Sequence, residues 1–254
     1  MLALDTSFNE KEHSNMKRFD QKTLIVIEWL SMFRFSTQQI LLERLALKNR
    51  NFFTKLKKRN LIREVSCDTT PSKLIVLTKN GAIHAAENFE HGARALTDSS
   101  RINPTTARHD LSVQRVVISY LDRADSVISE RFIQFGIQGK VPDALVNIDS
   151  MSYAFEIERT HKTKPRIYQA FQNHLYKLRD GGGYDRVKYF FPKDALLKMY
   201  TTIFNETDWP IYEFSTSRNR WVTKQDILES DGVAKIKPTD LLRSRFEFSV
   251  VDML

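Results

Sequence analysis

The 254-residue sequence contains a single cysteine, Cys67, so neither an internal disulfide nor a cysteine-based zinc site can staple the fold. That scarcity fits a reducing compartment, and a cytoplasmic protein is the expectation. Long apolar runs are missing too: the longest, residues 23–27, meets Glu28, far short of the ~20 residues that cross a bilayer. No membrane insertion is expected, and the opening Met1-Leu2-Ala3-Leu4 meets Asp5 too soon for a secretory signal. Only 8 glycines and 7 prolines accompany 41% hydrophobic residues, which excludes collagen-like and disordered chains. Histidines stand at positions 13, 84, 91, 109, 161 and 174, so no His-hydrophobe-His metal clasp exists.

What is present begins with charge. Lysine and arginine number 39 against 31 acids, a net charge of +8. The excess is uneven: Lys48, Arg50, Lys55, Lys57, Lys58, Arg59 and Arg63 fall within residues 48–63 with no acid among them. Such a run is either a solvated face or a surface for a polyanion, and a cluster without acidic counterparts favours phosphate.

Two halves follow different rules. Residues 1–18 show no apolar period and read as a flexible N-terminus. Helical spacing predicts a helix over 21–35, a second opened by Ser36-Thr37, and a third over 49–59. A β-hairpin over 61–65 and 74–77 and a helix to about Asn88 follow. This order predicts a winged helix-turn-helix DNA-binding domain over 19–90, whose third helix would enter the major groove. Residues 91–104 read as a linker. From 105 to 254 the order is helix, three strands, helix (164–178), strand (187–191), helix, strand, an αβββαβ mixed sheet covered by helices. The fold class is therefore α/β (α+β), and residues 215–254 resist assignment.

One segment carries chemistry. Pro142-Asp143 precedes one strand, and Glu156-Ile157-Glu158 lies on the next. Alternation places Glu156 and Glu158 on one face, ~7 Å apart, with Tyr153, Phe155 and Ile157 opposite. Either this is a solvated face paired with Lys140 and Arg159, or Asp143, Glu156 and Glu158 converge on a hard divalent cation, Mg²⁺ or Mn²⁺. The second case leads to metal-assisted phosphodiester cleavage.

Pro142-Asp143, a 12-residue spacer and Glu156-Ile157-Glu158 resemble the PD-(D/E)xK motif of restriction-endonuclease-like nucleases. The motif lysine is here Glu158, and Lys162 or Lys164, opening the next helix, would supply the charge. The wider order, with His109-Asp110-Leu111, Arg159-Thr160, Lys164 and Arg166-Ile167-Tyr168, is similar to the replication-relaxation proteins and, within them, the MobC-type plasmid relaxases, over about residues 20–195. The resemblance implies a relaxase that nicks double-stranded DNA at a plasmid origin of transfer and passes it to a conjugative coupling protein. It implies Asp143, Glu156 and Glu158 as metal ligands, Lys164 and His109 as further catalytic residues, and Arg166 as a DNA contact. His109 is otherwise a helix-start cap. Tyr168 and Tyr176 are the candidates for a covalent tyrosine mechanism, or are packing or DNA-facing residues. The rival reading is a non-catalytic winged-helix regulator or replication initiator on a degenerate nuclease fold.

Overall fold

Good helix formers without an apolar stripe, among them Glu10, Lys11, Glu12, Met16, Lys17 and Arg18, lie within the first helix of the computed structural model, α1 (Thr6–Phe33). The structure describes residues 6–133, 141–179, 183–215, 220–224 and 234–253. Within the stretch 1–18, expected to be a flexible terminus, the backbone is helical from Thr6 onward, because helix propagates at little cost once its C-terminal half is packed. The chain separates into two compact units, Met1–Ile118 and Ser119–Leu254.

In the first unit, Arg34 adopts the left-handed region (φ 71°) and turns α1 into a short strand, β1 (Phe35–Thr37). Thr37 then caps α2 (Gln38–Arg44), its hydroxyl accepting from the Ile40 amide. After α3 (Asn51–Lys58) come β2 (Ile62–Val65) and β3 (Leu74–Leu77), an antiparallel hairpin as anticipated. β1 adds to the other edge of β3, giving the order β1-β3-β2. Thr78 caps α4 (Lys79–Asn88) by accepting from the Gly81 amide.

Two expectations about the chain beyond α4 are corrected. Residues 91–104 are not a free linker: 3₁₀ turns at Glu90–Arg94 and Ser99–Arg101 lie on the unit, and Arg63 donates to the Thr97 carbonyl at 2.9 Å. Ile102 is buried there. α5 (Pro104–Ile118), expected to open the second domain, belongs to the first unit. Its Ala107 and Leu111 share a core with Phe35, Ile40, Leu74 and Val76. Gln114 fixes it polarly, accepting from the Trp29 indole and donating to the Phe35 carbonyl, both at 2.9 Å.

The second unit is built on five strands in the order β12-β7-β6-β5-β4. β4 (Ser126–Ser129), β5 (Ala144–Ile148) and β6 (Met151–Ile157) form an antiparallel meander. Asp149 and Ser150 both take positive φ in the two-residue turn, which fits the twist of a tight hairpin. α6 (Lys164–Arg179) crosses over to β7 (Arg186–Phe191), parallel to β6. α7 (Asp194–Phe204) leads to short pairs, β8 (Trp209–Pro210) with β11 (Lys235–Ile236) and β9 (Tyr212–Ser215) with β10 (Arg220–Thr223). After α8 (Asp240–Arg243), β12 (Phe246–Val250) joins β7 in parallel, a strand the sequence did not reveal.

The architecture is thus mixed α/β with a five-stranded mixed sheet. One sheet face, with Ala154, Val187, Tyr189, Phe191 and Phe246, packs against Ile167, Phe171, Leu175 and Leu178 of α6. On the other face Phe155 meets Tyr120 and Phe190 edge-on. Among the described residues no helix is long and apolar enough to cross a membrane.

Candidate functional site

The antiparallel register of β5 and β6 brings Asp143, just before β5, to the same sheet end as Glu158, just after β6. Asp143 is tied to the neighbouring strand at two points. Its amide donates to the Phe155 carbonyl at 3.0 Å, and its Oδ2 accepts from the Ile157 amide at 2.7 Å. The side chain therefore reaches the residue that precedes Glu158.

Glu158 is almost fully buried and receives the Lys162 ammonium at 2.6 Å. Its own amide donates to the Phe190 carbonyl. Two phenols sense the charge here. Burial pushes Tyr200 and Tyr189 well above the ordinary tyrosine range, and the nearby Glu158 carboxylate adds to the rise in both; Asp143 contributes at Tyr189.

Glu156 departs from the expected arrangement. It points from β6 beneath α6, wholly buried, with Oε1 3.2 Å from Nε2 of the equally buried His174. On its other side His174 Nδ1 lies 2.6 Å from the Tyr184 hydroxyl, within hydrogen-bond reach, whereas the Glu156 Oε1–His174 Nε2 approach is a close contact that makes no hydrogen bond. Among the described residues no group of three or more His, Cys, Asp or Glu side chains is placed to hold a metal ion. The predicted convergence of Asp143, Glu156 and Glu158 on one cation is thus corrected. A helix covers the face that carries Glu156, and a histidine takes the place assigned to the cation. The signal for His174 lay in the α6 stripe Ile167, Phe171, Leu175, Leu178, since position 174 falls on that same buried side.

The two lysines separate. Lys162 sits on Glu158, whereas Lys164 pairs with Glu206 at 2.8 Å and lies over the Tyr168 ring. Glu206 also accepts from the Tyr168 hydroxyl. Burial resists ionisation of Glu206, but the bonds from Lys164 and Tyr168 outweigh it and hold the carboxyl below its usual range. Tyr168 is pushed up to about 12, first by burial and then by Glu206. Tyr168 is buried; the side chain of Tyr176 lies outside the described ones. His109 is half-buried on α5, in the first unit, and Arg166 is exposed in the first turn of α6.

The basic run sorts by engagement. Lys48, Arg50 and Lys58 are exposed, and among the described residues they form no ion pair. Lys55 is exposed, its ammonium 5.8 Å from the Phe19 ring centre. Lys57 pairs with Glu64 at 2.7 Å, and Arg59 reaches Asp20 at 3.4 Å while its guanidinium lies over the Phe19 ring at 4.5 Å. Arg63 is half-buried, and one of its guanidinium nitrogens donates to the Thr97 carbonyl at 2.9 Å and to the Ser99 hydroxyl at 3.3 Å.

Compared with protein-family models, with curated proteins and with solved structures, the chain matches none.

Proposed function

We propose that the chain binds duplex DNA through its first unit and cleaves a phosphodiester through Asp143, Glu158 and Lys162 of the second. The observation that carries this reading is the order β4-β5-β6-α6-β7, with β7 parallel to β6 and the Asp143 carboxylate bonded to the Ile157 amide. While the helix that would open the core, α5, belongs to the first unit, that order shares the βββαβ portion of the αβββαβ core of restriction-endonuclease-like nucleases. It sets an acid from the Pro-Asp step beside an acid from the Glu-x-Glu step. In the first unit the order of helices, with β1-β3-β2 beneath them, supports a winged helix-turn-helix whose α3 carries the exposed cations.

Mg²⁺ typically takes one or two carboxylates plus water and substrate phosphate, so Asp143 and Glu158 suffice chemically without Glu156. When bound, such a cation, or Mn²⁺, would supply Lewis-acid charge at the scissile phosphate. Lys162, held at Glu158, takes the part of the motif lysine and stabilises negative charge on the phosphate oxygens. Lys48, Arg50 and Lys58 would position the duplex. The resemblance to the MobC-type relaxases makes the substrate a plasmid origin of transfer, the partner a coupling protein and the compartment the cytoplasm.

A supercoiled plasmid bearing an origin of transfer, incubated with the protein and Mg²⁺ or Mn²⁺, is expected to become open circles, and to stay supercoiled when the metal is chelated. Asp143→Asn and Glu158→Gln are expected to fall to background. Denaturant and protease treatment of the product separates hydrolysis from a covalent protein–DNA adduct. Site-specific binding with no cleavage under either metal selects the second reading, a non-catalytic regulator or replication initiator. The Glu158–Lys162 ion pair and the withdrawal of Glu156 into the core favour that alternative.

A further inference from the structure

A cleft of about 400 Å³ opens in the first unit between α1 and the start of α3, lined chiefly by Arg18, Phe19, Lys22, Asn49, Phe52 and Lys55. Among the described residues no acid lines it. Phe19 and Phe52 meet at 5.2 Å between ring centres, tilted by 58°, and form an aromatic wall, with the Arg59 guanidinium over the Phe19 ring at 4.5 Å. Arg18 and Lys55 are exposed and Lys22 is half-buried; among the described residues none of the three forms an ion pair. Two asparagines, Asn49 and the neighbouring Asn51, add side-chain amides; the Asn49 Oδ1 accepts from the Asn51 backbone amide at 2.8 Å, and its NH₂ is a donor to the cleft.

Convex phosphate-binding surfaces need only cations, and neither a concavity nor aromatic rings serve a duplex backbone. A concave site that joins three cations, two amides and an aromatic wall suits a phosphate attached to a flat, hydrogen-bonding, partly apolar group. We propose that this cleft binds a nucleotide unit whose base is unstacked, phosphate against Arg18, Lys22 and Lys55 and base against Phe19 and Phe52. This chemistry has two sources, a single DNA strand or a free nucleotide. The proposal does not depend on the second unit cleaving anything.

The test is fluorescence anisotropy of a labelled oligo-dT with the full-length protein, competed with dTMP, with duplex of equal length, and with an abasic strand of equal phosphate count. The strand is expected to bind, and the abasic strand to compete about tenfold more weakly, the loss of a single stacked base. Duplex is likewise expected to be the weaker competitor. Displacement by dTMP at concentrations matching the strand's nucleotides assigns the cleft to free nucleotides; failure of dTMP assigns it to the strand. Lys22→Glu and Lys55→Glu are expected to weaken binding at least tenfold. Lys79→Glu, an equal charge change at the exposed start of α4, is expected to leave it unchanged, with folding of each variant checked by circular dichroism. Equal competition by the abasic strand or the duplex, or parent-like binding by Lys22→Glu and Lys55→Glu, overturns the proposal.

Discussion

Glu156 and His174 meet at 3.2 Å with neither side chain in contact with solvent, so the acid most exposed to suspicion in the sequence is a core residue. Removing either residue leaves the other buried without that polar neighbour, and a buried polar group left unsatisfied costs about 1–3 kcal/mol. Urea unfolding of Glu156→Ala and His174→Ala is expected to show losses of that order, with the double variant losing clearly less than the two combined. A Glu156→Ala protein of parental stability that fails to nick would restore Glu156 to the metal site.

Lys162 and Lys164 stand two positions apart yet meet different acids, Glu158 and Glu206. In the plasmid-nicking assay Lys162→Met is expected to lose cleavage, while Lys164→Met retains it. Equal loss from both would show that the ion pair with Glu206 does not confine Lys164 to a structural part.

The exposed cations of the α3 region predict a division within the basic run. Arg50→Glu and Lys58→Glu are expected to weaken duplex binding and to reduce the salt slope by about 0.9 for each phosphate contact removed. Arg63→Ala, which strips bonds from Thr97 and Ser99, is expected to lower thermal stability instead. Anisotropy titrations across salt concentrations, beside melting curves, distinguish the two outcomes.

Stability at the extremes of pH depends on Glu206 and Tyr168. The folded state holds Glu206 below its ordinary value, so the unfolded chain takes up protons first and stability falls as pH drops below about 4.5. Tyr168 ionises near 10 when unfolded but at about 12 when folded, so its contribution is complete below pH 10 and is lost as pH climbs through 12. Buried Tyr184, Tyr189 and Tyr200 shift the same way. Glu206→Gln is expected to flatten the acid limb of stability against pH, and tyrosinate absorbance is expected to rise late in the folded protein. A tyrosinate titration complete near pH 10 while the protein stays folded would contradict the burial.

Gly81 has its own consequence. A Cβ there would stand 2.1 Å from the Leu61 carbonyl oxygen, a backbone atom that cannot swing aside. Gly81→Ala is expected to cost about 1–3 kcal/mol in denaturant unfolding by forcing α4 away from the chain before β2. An unfolding midpoint equal to the parent's would show that the two segments separate freely.

Short-range chemistry made much of this protein legible in its residues. Apolar spacing located α2, α3, α4, α6 and α7 closely, Thr37 and Thr78 marked helix starts by offering a hydroxyl to an amide, and alternation placed Glu156 opposite Phe155 and Ile157. These signals depend on neighbours a few positions away, and the chain carries them intact. Partners chosen across long distances were another matter. α5 reads as an amphipathic helix wherever it packs, and Gln114 meeting Trp29 and Phe35 put it in the first unit. β12 needed β7 to pair with, from 59 positions earlier, before its residues could be recognised as a strand. Carboxylates on one strand face look alike until the covering helix arrives. His174 on that helix lies against Glu156, Lys162 pairs with Glu158, and Asp143 is held to the Ile157 amide, because each acid meets the polar groups that the tertiary structure brings nearest.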